Sequence, residues 1–248
     1  MSTYAFSCPG GNLMSTQVSF LLIKELREGI FSTSERLPSE VELSERLGVS
    51  RTVVRDALSD LEREGFVERV RGIGTVINRE IVNLHSRLDL KLEYNELILG
   101  RGCQPASDSI LLRIEPAGEL FASKLKIAPT DQVLVCEKRV LADRTPVIYS
   151  IDRLPLALFD SIHYSDIDWS MPIFDILDRY CGLSVITDIA QVCATNATPA
   201  IRQKLQVSDT EALILLDETG YCKLSRPVMH SYEFYTNFFG FTMLRKKF

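Results

Sequence analysis

Arg51 and Arg55 lie one helical turn apart in the run Ser50-Arg51-Thr52-Val53-Val54-Arg55. Two guanidinium forks on one helical face, beside the hydroxyls of Ser50 and Thr52, can donate in pairs to base edges and phosphate oxygens. Arg71 heads a second short run, Arg71-Gly72-Ile73-Gly74, with the composition of a turn. Far downstream, segments of strand-like alternation carry Lys138, then Ser150 and Asp152, then Ser231, Glu233 and Tyr235. A cation, two carboxylates and three hydroxyls suit the lining of a pocket for a small polar molecule. Asp152 and Glu233 fit a solvated outer face equally well.

Other chemistries find little support. Ser161-x-His163 is not framed by a nucleophile-elbow pattern, so no catalytic residues are expected. Gly72-x-Gly74 lacks the third glycine and the following helix of a dinucleotide loop. The three histidines are far apart and offer no ligand spacing, so neither metal nor cofactor is expected. Six scattered cysteines without a C-x-x-C pair read as reduced thiols of a cytoplasmic protein. No apolar run approaches the ~18 residues of a membrane span, and the N-terminus lacks a signal-peptide pattern. Residues 1–13 read as a disordered extension, with Met1 and Met14 both eligible as the start. The net charge is −5, and residues 1–79 alone hold ten cations against eleven acids. A nucleic-acid reading must therefore rest on where the arginines sit rather than on bulk charge.

The elements that would position these groups can be read in order. Thr16 to Gly29 has helical spacing of Val18, Leu21, Leu22 and Leu26. Ser39 with Glu42 forms a capping box for a helix from Glu40 to Leu47, which Gly48 stops. Only Val49 and Ser50 precede the next helix, Arg51 to Glu64, so the pair is a helix-turn-helix. On that helix Val54, Ala57, Leu58 and Leu61 form the buried face, and Arg51, Thr52, Arg55 and Ser59 the opposite one. Asp60, Glu62 and Glu64 lie at its far end. Phe66–Val70 and Thr75–Ile77 then read as a hairpin wing with a cation at its tip.

Arg36-Leu37-Pro38-Ser39-Glu40, Gly48-Val49-Ser50-Arg51-Thr52-Val53-Val54-Arg55-Asp56-Ala57-Leu58, Leu61-x-x-Glu64-Gly65 and Gly72-x-Gly74-Thr75-Val76 resemble the DNA-binding domain of GntR-family regulators. The resemblance spans about residues 16–78. It implies operator contacts from Arg36, Ser50, Arg51, Thr52 and Arg55, with the Gly72–Gly74 tip in the minor groove. Ser39 and Arg71 complete the candidate set.

Residues 79–91 read as a polar linker, and residues 92–248 as an α+β domain with an antiparallel sheet. Helices are expected at Glu115–Lys126, Ile173–Tyr180 and Pro199–Leu205. Strands are expected at Val133–Leu141, Pro146–Leu154, Leu183–Ala194, Ala212–Tyr221 and Val228–Tyr235. Lys138-x-x-Leu141-Ala142-Asp143-x-x-Pro146-Val147, Pro172-Ile173-Phe174-Asp175-x-Leu177, Leu205-x-Val207 and Arg226-Pro227-Val228 resemble the UTRA effector-sensing domain of the HutC subfamily, which implies a chorismate-lyase-like fold. By the same resemblance Ser107 joins the effector set of Lys138, Ser150, Asp152, Ser231, Glu233 and Tyr235. Related sensors of phosphosugars have two arginines where this chain has Lys138 and Val140, serines where it has Met171 and Pro172, and acids where it has Ser150 and Met229. The expected function is a homodimeric repressor that binds a pseudo-palindromic operator in double-stranded DNA and is released by a small effector other than a sugar phosphate. The alternative is an enzyme of chorismate-lyase-like fold with an appended winged helix.

Overall fold

The computed structural model describes residues 14–84, 86–90, 93–159 and 162–246. Its contacts divide it into two units, one running to residue 85 and taking in residues from Leu244, the other Ser86–Met243. The extension expected at residues 1–13 lies outside the described residues.

In the first unit, α1 (Met14–Arg27) buries Val18, Leu22 and Leu26 and packs against α3 (Arg51–Arg63). Between them β1 (Arg36–Leu37) leads into α2 (Glu40–Leu47). Both halves of the Ser39–Glu42 capping box form, and Gly48 closes α2 in the left-handed region at φ 67°. Ser50 caps α3, which buries Val54, Ala57, Leu58 and Leu61. Each buried leucine of that stripe contributes roughly 1.5–3 kcal/mol. The wing is β2 (Val67–Val70) and β3 (Gly74–Ile77), and β1 adds to it as a third antiparallel strand that the alternation did not predict.

The linker expected at 79–91 is not one segment. Arg79–Val82 forms a helical turn, α4, and Arg79 donates to the carbonyls of Leu26, Phe31 and Ser34. That part is packed into the first unit, whereas residues 86–90 belong to the second, with Arg87 buried beside Asp89. At the other end, Leu244–Lys246 falls in the first unit and not in the domain expected to span 92–248.

The second unit contains α5 (Tyr94–Leu99), β4 (Pro105–Pro116), α6 (Gly118–Leu125), β5 (Gln132–Ala142), β6 (Thr145–Pro155), α7 (Ile173–Cys181), β7 (Thr187–Asn196), α8 (Pro199–Leu205), β8 (Ala212–Cys222) and β9 (Arg226–Tyr235). Its strands form one antiparallel sheet in the order β4-β5-β6-β9-β8-β7. α5 and α7 pack on the face carrying Leu134, Cys136 and Val140, and α6 and α8 on the face carrying Val133, Val135 and Tyr149. The helix expected from Glu115 begins only at Gly118, because Glu115 and Pro116 still pair with β5. The strand expected from Leu183 begins at Thr187. Among the described residues no helix is long and apolar enough to cross a membrane.

His230 on β9 is fully buried between the sheet and α6, with Nε2 2.9 Å from Asp217 and its ring 5.1 Å from that of Phe121. Burial, assisted by Lys124 and Arg153 and opposed by Asp217, holds its pKa below the ordinary imidazole value. The unfolded chain therefore takes up the proton more readily than the fold. Stability is complete above about pH 6.5 and declines as the pH falls from there towards the depressed folded value. The thermal midpoint is expected to drop between about pH 7 and pH 5, and His230→Gln to flatten that slope. Parallel pH profiles for both proteins would contradict this.

Candidate nucleic-acid interface and buried polar cluster

The tight turn between α2 and α3 sets the first site. Ser50 accepts from the Val53 amide at 3.3 Å, which leaves its hydroxyl proton available to a ligand. Arg51, Thr52 and Arg55 are exposed on the side of α3 opposite its buried stripe. Arg55 is 55% exposed, yet it already reaches Glu40 Oε2 through Nε (3.3 Å) and Nη2 (3.1 Å). Arg36 donates to the Ile73 carbonyl at 3.3 Å, so the β1 cation is tied to the wing tip. Arg71, Gly72, Ile73 and Gly74 are all exposed, and the two glycines have φ of 79° and 105°. Ser39 has a different task, since its hydroxyl proton goes to Glu42 Oε2 at 2.8 Å as part of the cap. Two acids further along α3 are taken up by other partners, Asp60 by Arg63 at 2.8 Å and Glu62 by Arg69 at 2.6 Å, whereas Asp56 is exposed next to Arg55 and acts on its charge.

The second site is set by strand register. Strand alternation by itself distributes the polar candidates over separate faces, one for each strand. The ladder puts them on one. Lys138, Ser150, Glu233 and Leu216 are cross-strand neighbours, and the adjacent row is Cys136, Asp152, Ser231 and Glu218. Val140, Ile148, Tyr235 and Ile214 form the next row, with Ser107 of β4 opposite Val140. Lys138, Asp152 and Glu218 are each 1% exposed and Glu233 6%, so the solvated-face reading of Asp152 and Glu233 is overturned.

Asp152 accepts from Ser150 (3.1 Å) and Ser231 (2.5 Å), and Tyr235 donates to Glu233 at 2.5 Å. Lys138 Nζ donates to the Met171 carbonyl at 2.7 Å and sits 5.6 Å from the ring of Tyr94. Burial acts against the lysine's charge, but Tyr94, Asp152 and Cys136 outweigh it and hold the pKa above the ordinary value. Burial, with Asp152 beside it, pushes the Cys136 thiol up to about 12, so that thiol is inert. Tyr235 is raised well above the usual phenol range by burial, then by Glu233 and Glu218.

Tyr94, Glu218 and the Met171 carbonyl are members that the sequence patterns missed. Tyr94 lies on a six-residue helix too short to show a periodic stripe. Arg139 and Arg153 point to the opposite face. Arg139 pairs with Asp108 at 2.6 Å, and the Arg153 guanidinium stacks 3.9 Å from the Phe121 ring centre. The β5–β6 register is unbroken from Val133 to Val140 and shifts only after it, so no bulge turns either arginine inward.

Comparison with known proteins agrees with this division. The family described as "Bacterial regulatory proteins, gntR family" matches residues 14–77, and the UTRA domain matches residues 100–237. The chain is 26% identical to the uncharacterised HTH-type transcriptional regulator YurK of Bacillus subtilis, over 92% of this chain and 93% of that protein. It is 22% identical to the mannosyl-D-glycerate transport/metabolism system repressor MngR of Escherichia coli, over 93% and 95%. The crystal structure of the possible regulator YydK from B. subtilis has the same fold, with a TM-score of 0.72 at 14% identity over 96% of this chain and 100% of that one.

Two mutational outcomes follow from the interface. Arg51→Ala and Arg55→Ala are each expected to cost about 1–3 kcal/mol of binding to a duplex selected from random sequence, with relaxed base preference. Unchanged affinity and preference in both would remove α3 as the reading element. Valine at both Gly72 and Gly74 meets no atom within 4 Å but must adopt left-handed backbone, a strain of about 1–2 kcal/mol per residue. The double variant should keep its fold by circular dichroism and lose DNA affinity; normal binding would exclude the wing tip from the contact.

Proposed function

The chain belongs to the gntR family of bacterial regulatory proteins, with a UTRA domain following the DNA-binding domain, and from that premise we propose that it is a homodimeric repressor released by a small polar effector that carries no phosphate. Its role is that of a DNA-binding transcriptional regulator controlled through its second domain, and the regulatory families leave the enzyme alternative without support. The repressor direction is supported by the name of the E. coli relative. The cytoplasm, where the operator is, is its expected location.

The observation that carries the effector reading is the state of Lys138. It is the cation on the cluster's face where related sensors have two arginines, and it is engaged by a backbone carbonyl. A buried phosphate needs several converging donors to offset lost hydration. Val140 offers none, and Arg139 and Arg153 face the other way. The hydroxyls and carboxylates around Asp152 and Glu233 instead suit the hydroxyl, amide or amino groups of a nucleoside, an amino-acid derivative or an unphosphorylated sugar. Entry requires the Met171 carbonyl to withdraw from Lys138. Release of DNA then follows if the occupied domain favours an arrangement that does not fit the operator.

The dimer reading is supported by β7. It is a ten-residue edge strand with Ile189 and Val192 exposed and Ile186 exposed just before it, a surface that pairing with a second copy would cover.

Isothermal titration with glucosamine 6-phosphate tests the effector class. No saturable heat is expected up to about 1 mM, a concentration corresponding to only ~4 kcal/mol of binding, and the operator complex should persist. Micromolar binding that dissociates operator would show that the cluster recruits phosphate donors from elsewhere.

A further inference from the structure

The end of the recognition helix carries a contact that the DNA-binding role does not require. α3 stops at Arg63, Glu64 caps it, and Gly65 turns the chain at φ 82°. The last carbonyls of a helix lack intrahelical partners and carry the negative end of the helix dipole. Here Lys246 Nζ donates to the carbonyls of Glu62 (3.4 Å) and Arg63. Leu244 lies over Gly65, its Cδ2 2.9 Å from where a Cβ on that glycine would stand, and Ile81 of α4 closes the same spot at 3.2 Å. Glycine therefore serves two constraints at position 65, the left-handed turn and the space that Leu244 occupies.

These two residues come from the far end of the chain. β9 supplies Ser231, Glu233 and Tyr235 to the buried polar cluster. Past it, Phe239 and Phe241 pack edge-on against the Tyr235 ring at 5.2 and 5.0 Å and stack on each other at 5.4 Å. Thr242 then donates its amide to the Ser86 carbonyl and accepts from the Leu88 amide, both at 2.8 Å. Leu244 follows two residues later. The chain thus runs from the cluster, through a knot of stacked and edge-on aromatic rings, to the C-terminal end of the helix that bears Arg51 and Arg55.

We propose that Leu244 and Lys246 are positioning residues for the recognition helix, forming a clasp through which a change at Tyr235 reaches α3 by a direct covalent route separate from the residues around position 85. The route gains its significance from the effector reading above, but the clasp is a property of the free protein. Lys246 stabilises the helix end by charge and hydrogen bonding, and Leu244 seals Gly65. Movement of the segment after Phe241 that is transmitted through Thr242 and Met243 would act on these contacts.

The experiment is amide hydrogen exchange on the full chain without DNA or effector, so its outcome does not depend on the effector class. Ending the chain after Met243, or making Leu244→Ala with Lys246→Ala, should speed exchange in residues 62–66 about fivefold and leave Leu43–Leu47 unchanged. The double substitution serves if the shortened chain folds poorly. Lys246→Arg, which keeps the cation, should retain protection in an otherwise unchanged chain. Tyr235→Phe should alter exchange at 62–66 in the intact chain and not in the double variant. Unchanged exchange at the helix end would overturn the clasp. An effect of Tyr235→Phe that is equal with and without the clasp would overturn the route.

Discussion

The buried polar cluster of the second domain depends on one register. Between Val133 and Val140, β5 pairs with β6 without a slip, and β6 pairs with β9 in step from Ile148 to Arg153. A shift by one residue would exchange Lys138 for Arg139, Ser150 for Ile151, and Asp152 for Arg153. The inner face would then present two arginines and an isoleucine. The arginines are held on the outer side by their own partners: Asp108 for Arg139, and the Phe121 and Tyr232 rings with Glu115 for Arg153. The ion pairs on one face thus specify the polar hydrogen bonding on the other.

The DNA-binding unit solves a different problem, in which one helix must be buried and legible at once. Its apolar stripe anchors it against α1, while the caps at Ser39, Gly48 and Ser50 satisfy backbone groups locally and free the polar face for an external partner. Arg79 extends that frame by bonding three carbonyls around the α1–β1 connection.

Much of this was legible in the residues, and the exceptions share a cause. α2, α3 and the wing announce themselves through local signals, namely a capping box, a left-handed glycine and alternation. β1 is two residues long and exists only because β3 lies beside it. α4 is a single turn held by distant carbonyls. β4 hides its alternation behind the irregularity between Asp108 and Leu111, where Ser109 takes φ 51°. The polar candidates were visible strand by strand. Their convergence was not, because a common face is a property of pairing between segments up to about a hundred residues apart, which no single strand's pattern encodes.

The Glu40–Arg55 pair has a consequence for how the free protein meets DNA. If Arg55 reads DNA as proposed, the Glu40 carboxylate held against it stands where an anionic target would be. Under that reading a duplex competes with Glu40 for the Arg55 guanidinium. A random sequence offers only the backbone in exchange, whereas a matching base edge offers two directed hydrogen bonds. On the proposed reading of Arg55, the pair would add a small cost to indiscriminate adsorption, of the order of a surface ion pair.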